Sequence, residues 1–335
     1  MKNYIKIPLF LGLGLVILYF ASKEVPFEKI WKIIQTSNEG YVFLSMSMGF
    51  IAIIARGLRW SNLLEPMGYF PKKWNNIHAV SLSYFVSLVI PRSGELVRCT
   101  ALNQAEDIPV DKLFGTVVLE RVIDTAILLL FVGLAFLLNY DVFTNLLERV
   151  GTKGATTTPW WIYAVGVFII SILLLLILFR KKIAQSKIWE KVKAFLQGMK
   201  EGFLSIRQMD KKWEFVIYSV IIWGMYYLSM ITMLKALHMN EYGLNAALFL
   251  VVAGGLGVIV PTQNGIGTYH LLIKLGVAVL AVAYGYFPDK TELEIEEIGL
   301  SLAWLQWGGQ TIMMILAGLV ATVSFAIQKK RKHVS

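Results

Sequence analysis

Three charged residues, Glu120, Arg121 and Asp124, lie in the first third of an otherwise apolar stretch. Glu120 and Asp124 are four residues apart, so on a helix their carboxylates share one face. Each unpaired charge in hydrocarbon costs at least about 2.5–3.5 kcal/mol, so we expect these groups to face the protein interior and to pair. The candidate cationic partners are Arg59, Arg92 and Arg98. Two interpretations stay open, a structural ion-pair cluster and a site for a polar headgroup or a proton.

A second candidate site follows a break in a short apolar segment at Pro91. The polar and flexible residues after this break are Arg92, Gly94, Glu95 and Arg98. Gly94 lets the backbone turn tightly, and the restarting helix points its N–H groups toward the break, which favours an anion such as phosphate. The planar guanidinium groups of Arg92 and Arg98 suit phosphate as well. The alternative is that both arginines extend to anionic lipid at the membrane interface.

A similar break occurs at Pro261, 170 residues after Pro91. It is followed by two glycines that allow a tight turn, Gly265 and Gly267, and by the polar residues Gln263, Asn264 and His270. A histidine can titrate near neutral pH, so His270 is a candidate proton site, although a hydrogen-bonding role is the commoner one. We predict that Gln263, Asn264 and His270 contribute to a substrate site.

The composition identifies an integral membrane protein. Of 335 residues, 56% are hydrophobic and 16% are charged, against about 25% charged in soluble domains. This excludes an ordinary soluble enzyme, a disordered chain and a disulfide-stapled module. The single cysteine cannot form an internal disulfide, and no nucleotide-binding, metal-ligand or hydrolase motif is found, so we expect no cofactor and no metal. In a membrane protein the net charge of +10 indicates loop orientation and contact with anionic lipid, not nucleic acid.

Six apolar segments are predicted to span the membrane, at residues 4–21, 41–55, 114–138, 160–179, 215–234 and 302–327. Two further apolar segments, 77–90 and 246–260, stop short at the two prolines, and each is followed by a second short helical pattern, at 95–104 and 268–286. Such lengths favour re-entrant hairpins, although the second hairpin could be two tilted spans. The fold class is therefore an all-α polytopic membrane protein with six spanning helices and two broken, re-entrant hairpins.

The elements repeat in the order span, span, hairpin, span, with a first membrane repeat over residues 1–139 and a second over 140–335. An odd number of spans separates the hairpins, so they dip in from opposite sides, as in the inverted repeats of secondary transporters. Most basic residues fall on one side, including the loop at 180–212, which predicts that both termini face the cytoplasm. In this arrangement Arg56 and Arg59 end a span at the cytoplasmic interface and act as anchors.

Four motifs occur in order along the chain: Arg56-Gly57-Leu58-Arg59-Trp60, the run from Pro91 to Arg98, Glu120-Arg121-x-x-Asp124, and Pro261 with Gly265-Ile266-Gly267. Together they resemble the lysylphosphatidylglycerol synthase/flippase transmembrane domain family, over essentially the whole chain. The resemblance implies a multi-pass protein of a bacterial or archaeal inner membrane with two inward-dipping hairpins. The best-understood members move phospholipids with modified headgroups between leaflets.

The second break departs from the pattern of that family. Its members usually carry a Pro-x-x-x-Gly-Gly-x-Gly loop followed by a glutamate, whereas Asn264 here replaces one glycine and His270 stands where the glutamate is expected. An ion coupling or headgroup preference that depends on that acid is therefore not carried over.

We interpret the chain as a flippase-like transporter, not an enzyme, that moves a phosphate-containing lipid through a central polar cavity between the hairpins. The predicted partners are membrane lipids, with a homodimer and lipid-synthesis enzymes as further candidates. Two alternatives remain. One is a membrane-embedded transferase that acts on a lipid carrier with Glu120 or Asp124 as base, and the other is a scaffold of a lipid-synthesis complex.

Overall fold

The computed structural model describes residues 19, 27–90, 93–140, 142, 209–260 and 262–332. Within these ranges the regular structure is helical and no strand occurs, which confirms the all-α prediction for the described residues. The predicted spans at 4–21 (apart from Tyr19) and 160–179 lie outside them, as does most of the basic loop at 180–212. Pro91, Arg92 and Pro261 also fall outside the described residues.

The described helices, numbered in chain order, are α1 (Phe27–Gln35), α2 (Glu39–Leu64), α3 (Lys73–Ser87), α4 (Gly94–Glu106), α5 (Val110–Leu138), α6 (Lys212–Ala236), α7 (Leu244–Ile259), α8 (Thr268–Tyr284) and α9 (Glu292–Lys332). Single 3₁₀ turns follow α2 (Glu65–Met67) and precede α8 (Gln263–Gly265).

Helix ends follow local side-chain chemistry. At the start of α2, Asn38 Oδ1 accepts hydrogen bonds from the backbone N–H groups of Gly40 (3.0 Å) and Tyr41 (3.3 Å). At the start of α9, Glu294 Oε2 accepts a hydrogen bond from the backbone N–H of Thr291 (2.8 Å), as in a capping box. These contacts satisfy N–H groups that the first turn of a helix leaves free.

Within the described residues, five segments are long and apolar enough to cross a membrane: Glu39–Met67, Val110–Leu138, Lys212–Ala236, Gln263–Tyr284 and Glu292–Lys329. Four of them contain predicted spans. The fifth, Gln263–Tyr284, covers the second arm of the second hairpin, which was predicted to be re-entrant. Its length and composition favour the tilted-span alternative for this arm.

The other hairpin arms are shorter than a span. α3, α4 and α7 have 15, 13 and 16 residues. At about 1.5 Å per residue each is about 20–24 Å long, short of a hydrocarbon core of about 30 Å. These lengths fit helices that stop inside the membrane.

The helices α2 and α6 pack antiparallel along their lengths. Near one end the N–H of Asn38, just before α2, donates to Ala236 O (2.8 Å), and near the other Arg59 Nη1 donates to Ser219 Oγ (3.2 Å). Between them the hydroxyl oxygens of Ser45 and Ser229 are 2.7 Å apart. The pair therefore forms a continuous seam with polar contacts from end to end.

Each hairpin packs against the long helix of the other half of the chain. α3 contacts α4 and also α9, and α7 contacts α8 and also α5. In the first hairpin the approach to α2 is close, because a Cβ atom at Gly57 would lie 2.7 Å from Ile77 Cα. This arrangement brings the two breaks in the chain to the same region of the bundle.

Candidate functional site

The turn regions of the two hairpins meet. Gln263 Nε2, two residues after the second break, donates a hydrogen bond of 3.1 Å to the backbone oxygen of Val89, two residues before the first. The two broken elements therefore lie side by side, although Pro91 and Pro261 themselves are not described.

A cavity of about 1110 Å³ opens beside this junction. The first hairpin contributes Ser83, Tyr84, Ser87, Gly94, Glu95 and Leu96, and the second hairpin contributes Val258, Ile259, Val260, Thr262 and Asn264. The third wall is one face of α5, from Phe114 through Arg121 to Leu129. Ligand pockets commonly measure about 300–1,000 Å³, so this space can hold a polar headgroup with part of an acyl chain.

The walls of the cavity combine polar and apolar surfaces. Hydroxyl and amide groups come from the two hairpins, whereas α5 and the end of α7 supply aliphatic side chains. Several of these apolar residues are exposed, among them Leu129 with 65% of its surface and Leu96 with 56%. Exposed aliphatic surface of this kind suits contact with acyl chains in a bilayer.

One ion pair stands on the cavity wall. Arg121 Nε and Glu95 Oε1 are 3.4 Å apart, and their side chains are 46% and 32% exposed. Both predicted site residues line the cavity. A pair that is this long and this exposed is weak, so either group can exchange its partner for a ligand at small cost.

A second charged cluster is buried beside the cavity wall and joins α2, α4 and α5. Arg56 Nη1 lies 2.7 Å from Glu120 Oε1 and 2.6 Å from Asp124 Oδ2. Arg59 Nη2 lies 2.8 Å from Asp124 Oδ1, and Arg98 Nη1 lies 3.3 Å from both oxygens of Glu120. Glu120 and Asp124 thus share one helix face and pair, as their spacing predicts.

The partners of the two carboxylates differ in part from those considered in the sequence. Arg59 and Arg98 are among the candidates, but Arg56, interpreted as an interfacial anchor, makes the shortest contacts. Its spacing of three residues from Arg59 places both guanidinium groups on one face of α2, a signal that was available in the sequence. Arg98 was predicted to hold phosphate, yet it is 1% exposed, is absent from the cavity wall and stacks over the Trp60 ring at 4.8 Å.

This buried cluster carries an excess of positive charge. Three guanidinium groups face two carboxylates, and Nε and Nη2 of Arg98 have no hydrogen-bond partner among the described residues. Glu120 of this cluster is directly followed in α5 by Arg121, which lines the cavity, so the excess charge lies beside the cavity wall and favours an anion there.

The turn before α8 is held in a left-handed conformation. Asn264, Gly265 and Gly267 have φ angles of 48°, 73° and 82°, values that glycine and asparagine adopt most readily. Thr268 Oγ1 donates a hydrogen bond of 2.7 Å to the backbone oxygen of Gly257, which connects the turn to α7. Of the predicted residues here, Asn264 lines the cavity and Gln263 joins the hairpins.

His270 lies away from the cavity. It is fully buried, with its ring centroid 4.4 Å from that of Trp304 and 5.5 Å from that of Trp307. The structure thus brings Glu95, Arg121, Gly94 and Asn264 together at the cavity, and places His270 behind the second turn. Within the described ranges no group of three His, Cys, Asp or Glu side chains is placed to hold a metal ion.

These features define a multi-pass helical membrane protein with a charged cavity between two broken hairpins. The chain belongs to the lysylphosphatidylglycerol synthase TM region family, whose profile matches residues 7–290. It is 24% identical over 294 residues to the UPF0104 membrane protein PH1989 of Pyrococcus horikoshii, which covers 79% of this chain and 87% of the relative.

A second relative, the UPF0104 membrane protein MJ1595 of Methanocaldococcus jannaschii, is 32% identical over 121 residues, or 35% of each chain. No solved structure matches the chain. The relatives named here are archaeal, and their names state a membrane location without an activity.

Proposed function

We propose that this protein moves a phosphate-containing lipid between the leaflets of a prokaryotic plasma membrane. The observation that carries the proposal is the cavity between the hairpins, because it combines a charged polar wall with exposed aliphatic surface. A headgroup can occupy the polar part while the acyl chains stay in the bilayer. Lipid-related function is also consistent with the family.

The electrostatics favour an anionic group in the substrate. Arg121 stands on the wall, and the buried cluster beside it holds one more arginine than carboxylates. Charge that is taken out of water is costly unless it is compensated, so a phosphate in the cavity would be stabilised by this excess. Glu95, displaced from Arg121 by the phosphate, is then free to accept a hydrogen bond from another part of the headgroup.

We further propose that the two halves form an inverted repeat. Each half supplies one hairpin, and the two hairpins meet at their turns, where Gln263 Nε2 donates to Val89 O (3.1 Å). The long helices α2 and α6, one from each half, pack antiparallel, as the helices of oppositely oriented halves should. Two halves related in this way can expose the cavity alternately to either side.

The orientation that we propose places the carboxyl-terminal end of α9 in the cytoplasm. Lys211 Nζ, before α6, lies 2.9 Å from Glu65 at the end of α2, and Gln328 in α9 donates to Asn75 in α3 (2.8 Å). These four helix ends therefore share one side of the bundle, together with Lys72 and Lys73. Basic residues at helix ends are typical of the cytoplasmic side.

The transferase alternative receives less support. A general base must come within hydrogen-bond reach of the proton that it removes. Glu120 is fully buried and its carboxylate is engaged by Arg56 and Arg98, while Asp124 is engaged by Arg56 and Arg59. Neither residue lines the cavity.

Translocation in liposomes tests the proposal. The purified protein is reconstituted with fluorescent phosphatidylglycerol, and the labelled lipid that reaches the outer leaflet is bleached by an impermeant reductant. We expect protein-dependent movement, and we expect Arg121→Gln to slow it at least about tenfold, since a hydrogen bond to a charged group contributes about 1.5–3 kcal/mol.

Lys211→Gln is the matched control, because Lys211 forms a similarly exposed ion pair on the surface, with side-chain exposures of 44% for Lys211 and 22% for Glu65. This variant should transport at the unmodified rate. Absence of protein-dependent movement, or an unchanged rate for Arg121→Gln, would contradict the proposal.

A further inference from the structure

The loop between α7 and α8 forms one wall of the cavity. Val260, Thr262 and Asn264 line the space, and Gln263 holds the loop to Val89 of the other hairpin. Any movement of this loop therefore changes the size of the cavity. On the side away from the cavity, the loop is held by Thr268 at the start of α8 and by a tryptophan of α9.

Trp307 connects this loop to His270. Its indole Nε1 donates a hydrogen bond of 2.9 Å to the backbone oxygen of Asn264, and its ring centroid is 5.5 Å from that of His270. Trp304, one turn earlier on α9, packs against the imidazole at 4.4 Å. The imidazole thus lies within an aromatic contact that holds the cavity wall in place.

His270 is unusual among the buried polar residues. It is 0% exposed, and among the described residues neither Nδ1 nor Nε2 has a hydrogen-bond partner. A buried polar group without a partner costs about 1–3 kcal/mol, so a valine or leucine would pack here more favourably. Hydrogen bonding does not account for a histidine at this position, which leaves its ability to take up a proton.

The charged groups around His270 are already paired with one another. On α8, Lys274 lies one turn further along, with its Nζ 2.9 Å from Glu296 Oε2 of α9. Glu297 of α9 pairs with Lys29 of α1 (2.7 Å). α7 carries no charged residue, and the loop itself offers only the neutral Gln263 and Asn264, so a protonated imidazole has no free counter-ion among the described residues.

We propose that His270 is a proton-binding site, and that its protonation releases Trp307 from Asn264 and opens the loop wall of the cavity. A cationic imidazole without a counter-ion is strongly disfavoured in a dry aromatic contact, and the attraction of tryptophan rings for a cation, about 0.5–2 kcal/mol, offsets only part of that cost. The protonated state is therefore stable only when α8 and α9 separate enough to admit water.

The consequence for transport rests on the proposed function: a proton taken up at His270 would couple lipid movement to pH. Opening of the wall does not itself require transport, so it can be measured alone. The two proposals are therefore separable. Opening that depends on pH, without lipid movement, would support the role of His270 and contradict only the proposed lipid transport.

Thiol accessibility in the full-length protein measures the opening. Val260→Cys places a thiol on the loop wall, and Thr125→Cys places one on the α5 wall of the same cavity as the reference. Both are treated with a methanethiosulfonate reagent, and the native Cys99, which is buried, provides the blank. The reagent reacts with the thiolate, so dividing the Val260→Cys rate by the Thr125→Cys rate cancels the pH dependence that the two thiols share. When the pH is lowered from about 8 to about 5.5, a range in which a hydrated histidine takes up a proton, we expect the ratio of the Val260→Cys rate to the Thr125→Cys rate to rise. The expected change is about tenfold, a typical coupling between two sites.

Three further variants decide between outcomes. His270→Phe should keep the ratio low at both pH values, and Trp307→Phe, which retains the ring but lacks the donor to Asn264, should keep it high at both. His78→Phe is the matched control, because His78 also packs between aromatic rings, Trp74 and Phe325, but lies in the first half of α3, whereas the loop meets Val89 beyond the end of that helix. It should leave the pH dependence intact.

The proposal is overturned if the protein that retains His270 gives the same ratio of labelling rates at both pH values. It is also overturned if the ratio still rises at low pH in His270→Phe. Should His270→Phe fail to fold, Trp307→Phe decides, and a low ratio in that variant overturns the proposal equally.

Discussion

The side-chain amide of Gln263 donates a hydrogen bond to the backbone carbonyl of Val89, and this contact joins the two hairpins at their turns. Residues 174 positions apart in the sequence thus meet beside the cavity. Because one partner belongs to each half of the chain, relative movement of the halves must change this contact. Its geometry therefore suggests a direct test of whether the hairpins move.

Cross-linking the hairpins should arrest transport. Cysteines introduced as Val89→Cys and Gln263→Cys lie close enough for a short bifunctional thiol reagent, and the resulting bridge prevents the turns from separating. We expect loss of lipid movement in the liposome assay after cross-linking. Each single-cysteine variant treated with the same reagent is the control and should stay active. Transport by the fully cross-linked protein would show that the hairpins do not need to separate.

Removing one carboxylate of the buried cluster should destabilise the protein strongly. Glu120→Gln leaves Arg56 and Arg98 facing each other without their shared acid, and breaking a buried ion pair in this way costs about 3–5 kcal/mol. Loss of the folded protein on heating in detergent, compared with the unmodified chain, measures the effect.

Glu95→Gln serves as the comparison for that variant, because it removes an acid from the half-exposed pair with Arg121. Its effect on stability should be about 0–1 kcal/mol. If Glu120→Gln and Glu95→Gln lower the unfolding temperature equally, the buried contacts of Glu120 do not contribute more to stability than the half-exposed pair of Glu95.

A methyl group at Gly57 should disturb the packing of α2 on α3. The Cβ atom of Gly57→Ala would stand 2.7 Å from the Cα of Ile77, a backbone atom that cannot rotate away. Overpacking of this kind costs about 1–3 kcal/mol. The same thermal assay applies.

Gly115→Ala in α5 is the matched control, since nothing lies within 4 Å of its Cβ position. In an open helical position alanine is favoured over glycine by about 0.5–1 kcal/mol, so this variant should be neutral or slightly more stable. Equal destabilisation by both changes would contradict the close approach of α2 and α3.

Features that depend on local sequence were predictable. The length of the apolar runs locates α2, α5, α6 and α9, and the breaks near residues 91 and 261 mark the hairpins. The i, i+4 spacing of Glu120 and Asp124 predicts a shared face, and both carboxylates do pair with arginines.

Features that depend on the direction in which a helix faces were harder to predict. Arg56 follows the end of an apolar run and so has the appearance of an interfacial anchor. In the structure α2 continues for about two more turns to Leu64, and its packing against α5 and α6 turns Arg56 inward. Arg98 and Arg121 are equivalent by type, yet Arg98 is buried against the Trp60 ring while Arg121 reaches the cavity. Which arginine meets the cavity depends on the rotation of each helix about its axis.

The crossed contacts of the hairpins have a consequence for biogenesis. Because α3 rests on α9 and α7 rests on α5, each half supplies the surface that shields the short helices of the other. A nascent chain that has inserted only its first half therefore holds a hairpin with exposed backbone ends in lipid, and this hairpin is covered only once α9 has been synthesised and inserted.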